Sequence, residues 1–447
     1  MKKTGLCLLV LLLAFVAMMS IGNAAAPKVT LTIATVNNPD MIIMAKMAPQ
    51  FTEKTGIGLK FVTLPENELR QKVTEDVGLG AGQYDIVTIG TYDTPFWGAN
   101  KWVDSLEPYF AKMSDADQKS YDRNDLIKPI RSALSYKGAQ YALPFYGESS
   151  MLFYRTDLFK AAKLKMPEQP TWDQVYAFAK KLNNPAKGIY GIALRGLPGW
   201  GENMAVFGTV INTFGGRWFD MKWQAQFNTP EMRSAFEFYK KIVTEAGEPG
   251  ATTAGYTECL ALFQNAKAAM WYDATVSAGT LMGKDSKVVG KTGYALAPIV
   301  KKSNAGWLWA WSLAMESSSK NKDAAFKFLT WATSKEYINL VGESIGWAQV
   351  PPGTRESTYS NPKYLKAAPF AKRTIAAIKN ANYDHPTVQD VPYVGVQYVS
   401  IPEFQNLGDQ VAQQLAAYLS GKQDIDATLK QCQDVSNNVA KEGGYQK

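Results

Sequence analysis

Tryptophan side chains in two short segments could supply flat apolar surfaces for binding. Trp307, Trp309 and Trp311 alternate along the chain, so on a β-strand all three would point to one face. Packing in a hydrophobic core would explain each of them equally well. Trp200 lies in a glycine-rich stretch, residues 196–203, where a large aromatic side chain is harder to explain as core. Aromatic faces of this kind suit the C–H patches of a ligand that carries many hydroxyl groups.

Polar side chains near predicted strand ends could bind the hydroxyl groups of the same ligand, because planar polar groups make paired hydrogen bonds. The candidates are Asn37, Asn38, Asp40, Asp93, Glu148, Arg195, Asn203, Asp273 and Arg355. Asp273 follows the apolar residues 268–271 at the carboxyl end of a predicted strand, where α/β sheets bind ligands, and a structural cap is the alternative. Arg195 ends the strand-like residues 189–194, so Arg195 and Asp273 could hold vicinal diols from opposite edges.

Two of the aspartates have a structural explanation that is at least as good as a binding one. Asp40 and Asp93 each precede a predicted helix or turn, where an acidic side chain caps backbone N–H groups. They stay on the list of candidates because both follow a predicted strand.

Histidine and cysteine are scarce, which excludes several kinds of chemistry. The chain has 447 residues with one His and three Cys, and no C-x-x-C pair. Zinc, copper and di-iron sites need several imidazoles, and a catalytic triad could be built only on His385, which precedes a proline and has no partner pattern. The net charge of +8 is spread along the chain, whereas nucleic-acid binders concentrate basic residues on one stripe. We expect no cofactor, no metal and no nucleic-acid partner.

The N-terminus is typical of a secretory signal peptide. A basic start at residues 1–3 precedes an apolar run at residues 6–21, and small residues follow up to Ala24. Cleavage near Ala24 and a periplasmic location are therefore expected. An oxidising compartment permits a disulfide between Cys259 and Cys432, and two buried free thiols are the alternative.

Strand and helix patterns alternate at the start of the mature chain. Residues 29–36, 58–64 and 84–89 read as strands, and residues 44–51 and 66–78 read as helices. This order predicts a parallel sheet covered by helices, with ligands bound beyond the carboxyl ends of the strands.

Helix-start signals continue through the second half. Thr171 with Gln174 forms a capping-box pattern, and Thr229 precedes Pro230 at a first helical position. Further elements follow: strand-like residues 294–315, and helices at 322–333, from 334, at 362–380 and at 401–420.

Ordered motifs along the mature chain resemble one protein family. They are PENEL (65–69), GAGQYDIV (80–87), YALPF (141–145) with LFYRTDL (152–158), GG (215–216) with NTPE (228–231), and FQNAKAAM (263–270). The chain is identified by them as a member of the family-1 extracellular solute-binding proteins of ATP-driven (ABC) sugar importers. Ala266 stands where that family usually has glycine, a change that a helix tolerates. Residues 34–40, 271–275 and 306–312 further resemble the sorbitol/mannitol-binding branch.

The resemblance implies a fold and a division of the chain. It implies an α/β, two-lobed periplasmic binding protein fold, similar to maltose-binding proteins, with the ligand cleft between lobes joined by hinge crossings. The first lobe would hold residues 25–143 and about 306–350, and the second about 144–305 and 351–447. Trp309 becomes the preferred ligand face, and Arg355 is expected near a crossing between the lobes.

The function implied is capture of a sugar alcohol by hinged closure, without any bond being made or broken. The protein would be a monomer that delivers its ligand to the permease subunits of the inner membrane. Another mono- or disaccharide is the alternative ligand, and a polyamine would need more acidic residues around an aromatic box. The rival function is a secreted glycoside hydrolase, which needs two carboxylates about 5–9.5 Å apart; Glu148 with Asp273 or Asp93 could supply them.

Overall fold

The computed structural model describes residues 27–304 and 306–446, so the predicted signal peptide lies outside the described residues. The strands are β1 Val29–Val36, β2 Ile57–Leu64, β3 Ile86–Ile89, β4 Ser135–Tyr136, β5 Ala139–Gln140, β6 Ala142–Glu148, β7 Ser150–Arg155, β8 Met270–Ala274, β9 Thr292–Leu296 and β10 Trp309–Met315. The first nine helices are α1 Pro39–Thr55, α2 Glu66–Leu79, α3 Asp93–Ala99, α4 Glu107–Ala111, α5 Asp115–Tyr121, α6 Lys128–Ala133, α7 Thr156–Ala161, α8 Trp172–Leu182 and α9 Asn203–Phe214. The others are α10 Pro230–Ala246, α11 Tyr256–Gln264, α12 Ser277–Leu281, α13 Lys322–Ala332, α14 Lys335–Ser344, α15 Pro362–Ala367, α16 Ala371–Asn380, α17 Phe404–Leu419 and α18 Ile425–Glu442. Short 3-10 helices occupy Arg123–Asp125, Pro185–Lys187, Ala251–Thr253, Trp347–Gln349 and Glu356–Ser360.

The larger sheet has five strands in the order β2-β1-β3-β10-β6. Strands β1, β2 and β3 pair in parallel, and β10 runs antiparallel between β3 and β6. The predicted parallel sheet is thus confirmed. The carboxyl ends of β1, β2, β3 and β6 meet at one edge, where β10 begins.

The smaller sheet has three antiparallel strands in the order β8-β7-β9. Beside β8, the predicted strand at residues 189–194 forms only two isolated parallel bridges, Tyr190 to Ala268 and Ala193 to Trp271. These bridges are enough to carry the next residue, Arg195, to the end of β8.

The predicted helix starts agree with the structure. Thr171 caps α8 in a capping box, with its side chain accepting from the Gln174 N–H and the Gln174 side chain accepting from the Thr171 N–H. The Thr229 hydroxyl accepts from the Met232 N–H at the start of α10. Such caps satisfy N–H groups that have no partner within the helix, which fixes where each helix begins.

The C-terminal helices differ from the prediction. The single helix expected at residues 362–380 is broken into α15 and α16, because Pro369 cannot donate a helical hydrogen bond and forces the preceding Ala368 out of the α conformation. A helix that was not predicted, α18, begins after Asp424, whose side chain accepts from the Ala427 N–H. It packs against α17 and α10.

The end of β6 and the segment that precedes Arg355 lie back to back. The Gly147 N–H, near the end of β6, donates to the Pro352 carbonyl over 2.9 Å. A Cβ atom on Gly353 would lie 1.9 Å from the Gly147 carbonyl oxygen, and a Cβ on Gly147 would lie 2.3 Å from that of Gly353. Only glycine fits at either position, so the two backbones are in direct contact.

Two further observations concern the sequence predictions. Cys259 and Cys432 are buried free thiols, so the disulfide alternative is not realised. Within the described ranges, none of the helices combines the length and apolar character that crossing a membrane requires.

Candidate ligand-binding site

A cleft of about 410 Å³, solvent at its mouth included, lies at the edge of the larger sheet where its parallel strands end, facing the end of β8. Its lining residues are Asn38, Glu66, Arg70, Tyr146, Glu148, Arg195, Trp200, Gly201, Ala205, Tyr256, Ala274, Val276, Trp307, Trp309, Trp311 and Gln397. We call it the inter-sheet cleft.

The three alternating tryptophans line the inter-sheet cleft together, as the pattern predicted. Trp309 begins β10 and its ring lies against the backbone of Gly90, which follows β3. A Cβ atom on Gly90 would come within 1.9 Å of that ring. Trp309 meets Trp311 edge to face at 5.6 Å and meets Trp200 edge to face at 5.7 Å. The missing side chain at Gly90 therefore makes room for the central ring of the cluster.

Arg70 projects from α2 into this aromatic cluster. The centre of its guanidinium lies 3.9 Å from the Trp200 ring centroid, 4.8 Å from that of Trp311 and 5.1 Å from that of Trp309. Glu66, one helical turn earlier, accepts hydrogen bonds from Nε and Nη2 of Arg70 over 3.1 and 2.9 Å. The tryptophan faces that the sequence suggested for a ligand thus also hold a cation of the protein itself.

Arg195 is held on the opposite side by Asp273. Its Nε and Nη2 donate to the two carboxylate oxygens of Asp273 over 2.8 and 2.5 Å. Burial alone would lower the pKa of Arg195, but the attraction of Asp273 outweighs it and raises this pKa well above the usual value. Nη1 donates to the Gly201 carbonyl over 2.9 Å and approaches Glu202 at 3.5 Å. Of the five guanidinium N–H groups, one on Nη2 is left without an acceptor among the described residues.

Asp273 makes no contact with the cleft. It is completely buried, and its oxygens also accept from the Trp271 indole over 3.1 Å and from the Ala274 N–H over 2.7 Å. The two side chains expected to grip a ligand from opposite edges are therefore joined in one ion pair, of which only Arg195 reaches the cleft.

Polar groups at the ends of β1 and β6 complete the lining on the larger sheet. Asn38, at the start of α1, donates to the Tyr146 hydroxyl over 2.7 Å. Glu148 ends β6 and accepts from the Trp307 indole over 3.3 Å. Burial raises the pKa of Glu148 well above its usual value, and the positive charge of Arg195 only partly opposes this.

Two polar atoms of the lining are buried and have no hydrogen-bond partner among the described residues. They are the Trp200 indole Nε1, a donor, and the Gln397 Oε1, an acceptor. Buried polar groups are nearly always paired in native proteins, with protein, water or ligand, so a polar ligand in the cleft could supply both missing partners.

The remaining predicted residues lie outside the lining. Asn37 donates its backbone N–H to the Leu64 carbonyl. Asp93 accepts from the Gly90 N–H over 2.9 Å and lies 3.7 Å from Arg70, and burial raises its pKa. Asn203, fully buried in α9, donates to the carbonyls of Gly196 and Ala412. Arg355 is buried away from the cleft, where it donates to Asp125 over 3.1 Å.

Several lining residues were not predicted, chiefly Glu66, Arg70, Tyr146, Tyr256 and Gln397. A signal existed for the first two, since they stand four residues apart on a helix that starts directly after β2. Gln397 lies in an irregular stretch, residues 381–403, where no periodic pattern marks a facing side chain.

A cleft between two sheet units that are covered by helices is the arrangement of two-lobed periplasmic binding proteins. Residues 37–338 match the family described as bacterial extracellular solute-binding protein, and the chain belongs to that family.

Individual relatives agree with this assignment. The mannitol-binding protein of Pseudomonas aeruginosa is 48% identical over 94% of each chain. A solute-binding protein from Agrobacterium vitis, solved with bound D-mannitol, is 50% identical with a TM-score of 0.91, over 94% of this chain and 100% of that one. Another, from Agrobacterium radiobacter in complex with ribitol, is 26% identical with a TM-score of 0.81, over 93% and 99%. The predicted fold class is thereby confirmed.

Proposed function

We propose that this chain is the substrate-binding component of an ABC importer and that it captures a linear sugar alcohol of the mannitol or sorbitol type in the inter-sheet cleft. The observation that carries the proposal is the unpaired donor of Trp200 and the unpaired acceptor of Gln397 in a cleft walled by tryptophans. The ligands of the Pseudomonas and Agrobacterium relatives support it.

The proposed ligand contacts come from both sides of the cleft. Trp200 and Gln397 offer their unpaired atoms, and Arg195 offers its remaining Nη2 hydrogen. The Tyr146 hydroxyl accepts from Asn38, so its own hydrogen is free to point towards a ligand oxygen. Stacking of the ligand on Trp309 stays a prediction, because Arg70 lies close to the same ring.

Predicted site residues outside the lining receive supporting roles in this proposal. Asp273 orients Arg195, and Asp93 fixes the turn at Gly90 on which Trp309 rests. Asn203 joins α9 to α17 through the Ala412 carbonyl. We assign no ligand contact to Asn37 or Arg355.

The predicted division placed residues 25–143 and about 306–350 in one lobe and about 144–305 and 351–447 in the other. Because β6 pairs with β10 as far as Glu148, and because Arg355 binds Asp125, we extend the first lobe to about residue 148 and add residues 351–360 to it. This adjusted division is a proposal. It is supported by the two separate sheets, and by α17 and α18, which pack on α10 beside the smaller sheet. Crossings at residues 147–149 and 306–308 would form the hinge, with Gly353 packed against Gly147 beside the first of them.

Contacts across the mouth of the cleft support a closed conformation. The Tyr92 hydroxyl lies 3.0 Å from the carbonyls of Ile401 and Pro402, and Asn67 donates to the Pro198 carbonyl over 3.2 Å. These bonds would have to open to admit a ligand. The protein would then act as a monomer in the periplasm and deliver its ligand to membrane permease subunits, after cleavage near Ala24.

We further propose that the protein is not an enzyme. A glycoside hydrolase needs two available carboxyl groups, but Asp273 is occupied by Arg195, and Asp93 accepts from the Gly90 N–H outside the cleft lining. Sustained turnover of aryl glycosides by the purified protein would overturn this.

A thermal-shift screen followed by calorimetry tests the ligand. The panel is mannitol, sorbitol, arabitol, xylitol, common hexoses and disaccharides. A ligand that binds only the folded form stabilises it by RT ln(1 + [L]/Kd), so the largest shift is expected with a linear polyol. A shift with disaccharides alone, or with no compound of the panel, would reject the proposed ligand class.

A further inference from the structure

The charges around the inter-sheet cleft do not balance. Two guanidinium groups face it, and each is already bound to a carboxylate: Arg70 to Glu66 at 2.9 Å and Arg195 to Asp273 at 2.5 Å. The next carboxylates, Asp93 and Glu202, lie 3.7 Å from Arg70 and 3.5 Å from Arg195. Each guanidinium group thus already lies within 4 Å of two acidic side chains.

Glu148 is the carboxyl group left over. It is 6% exposed, no ion pair reaches it within the described residues, and its one hydrogen bond comes from the neutral Trp307 indole. The ionisable groups that act on it are Arg195, Asp273 and Glu66, with the hydroxyls of Tyr146 and Tyr256 beyond them. β10, its neighbour in the sheet, presents apolar residues and one serine.

Ionisation of Glu148 would be energetically unfavourable in the closed cleft. Burial is the largest cause that raises its pKa, the charges of Asp273 and Glu66 raise it further, and only Arg195 lowers it. A neutral ligand brings no positive charge to replace the water that closure expels. In an open, hydrated cleft the same carboxyl group would ionise near its ordinary pKa of about 4.3.

We propose that Glu148 enters the closed, ligand-filled cleft as the un-ionised carboxylic acid and donates its O–H to a ligand hydroxyl oxygen, so that capture takes up about one proton from solvent. This inference rests on the proposed function. It gives the site a donor where an ionised carboxylate could only accept. Release into a more alkaline medium would be favoured for the same reason.

Calorimetry in different buffers measures the proton directly. D-mannitol is titrated into the full mature protein at pH 7 in buffers of low and high ionisation enthalpy, such as phosphate and Tris. The slope of the observed enthalpy against the buffer ionisation enthalpy gives the protons exchanged, and about one taken up is expected. A slope of zero with clear binding overturns the proposal and leaves the proposed function intact, whereas absence of binding by any polyol removes both.

Two isosteric variants locate the proton. Glu148→Gln keeps a donor at this position and should bind mannitol with a slope near zero. Glu202→Gln is the matched control, because burial raises the pKa of Glu202 to about 7 although it does not line the cleft. Uptake that persists in Glu148→Gln, or that disappears in Glu202→Gln alone, would reject Glu148 as the proton carrier.

A second measurement needs no variant. Between about pH 5.5 and 7.5 the Kd of the wild-type protein for mannitol should rise about tenfold per pH unit, because the open form must gain a proton on closure. A Kd that is constant over this range would contradict the proposal even if Glu148→Gln fails to fold.

Discussion

Arg195 and Arg355 are both buried and both paired with an aspartate, yet only Arg195 lines the inter-sheet cleft. Arg355 donates to the Thr333 carbonyl over 2.9 Å and to Asp125 over 3.1 Å, and its guanidinium lies 4.8 Å from the Tyr121 ring centroid. Its surroundings are entirely those of the larger-sheet unit. Arg195 binds Asp273 on the side away from the cleft and lines the cleft on the other side.

The difference between the two arginines lies in how the partner is placed. Asp273 accepts the inner edge of Arg195 and leaves an Nη2 hydrogen to face the cleft. Around Arg355, two carbonyls and Asp125 accept from Nε and Nη1 and tie the 3-10 helix Glu356–Ser360 to α5 and α13. Its Nη2 is buried away from the cleft and has no hydrogen-bond partner among the described residues. A buried ion pair can therefore either present a hydrogen-bond donor to a ligand or join structural elements. The local sequence around the two arginines does not show which of these roles each one has.

The largest effect is expected for Asp273→Ala. Removing one member of a buried ion pair leaves an uncompensated charge, which costs about 3–5 kcal/mol of unfolding free energy. Polyol binding should be lost as well, because Arg195 loses the contact that orients it. Chemical denaturation and calorimetry measure the two effects, with Asp273→Asn as a control of the same shape. Unchanged polyol affinity in a folded Asp273→Ala protein would contradict the supporting role.

Arg355→Ala should separate stability from binding. Loss of its contacts with Asp125 and Thr333 is expected to lower the unfolding free energy by about 3 kcal/mol. The affinity for the polyol should stay within about twofold at a temperature where the variant is folded. A tenfold loss of affinity would show that Arg355 acts on the cleft after all.

Gly90→Ala tests the contact between the Gly90 backbone and the Trp309 ring. The new Cβ would meet the Trp309 ring at 1.9 Å, so the ring must shift, and overpacking of this kind costs about 1–3 kcal/mol. We expect about a tenfold loss of polyol affinity, measured by calorimetry. Gly138→Ala is a control for the loss of a glycine, since its Cβ would meet no atom within 4 Å although its φ of +82° adds local strain. Equal affinity losses in both variants would show that the contact between Gly90 and Trp309 has no specific role in binding.

The smallest effect concerns Glu316, a buried carboxyl group with no arginine. Burial, with a contribution from Asp76, raises its pKa to about 8. Because the folded form holds the proton more tightly than the unfolded form, this group lowers stability as pH rises from about 4.5 to 8. Glu316→Gln should therefore match the wild-type Tm at pH 4 and exceed it by a few degrees at pH 8. A Tm difference that does not change with pH would contradict the shifted pKa.

Local sequence signals predicted many of the helices and strands because these signals depend on residues only a few positions apart. The capping box of Thr171 and Gln174 fixed the start of α8, and the apolar spacing of Met44, Met47 and Phe51 gave the buried face of α1. The C-terminal helices were misjudged where Pro369 was overlooked and where Asp424 was not recognised as a cap.

The site was predicted less completely because its contacts are long-range. Alternation predicted that Trp307, Trp309 and Trp311 share a face of one strand. All three line the inter-sheet cleft, although Trp307 precedes β10. The Arg195–Asp273 pair joins residues 78 positions apart, and no local pattern indicates that they bind each other. Arg70 looked like half of an ordinary helical pair with Glu66, since nothing near it in sequence announces the tryptophans around it.

The contact between Gly147 and Gly353 has a consequence for how such a site can change. Backbone meets backbone there, with no side chain between them, so the end of β6 and the segment at Gly353 are held together by main-chain atoms alone. In the proposed hinge, this contact would be independent of which side chains line the cleft. Substitutions at Trp309, Gln397 or Glu148 could retune the ligand while the closing movement stays as it is.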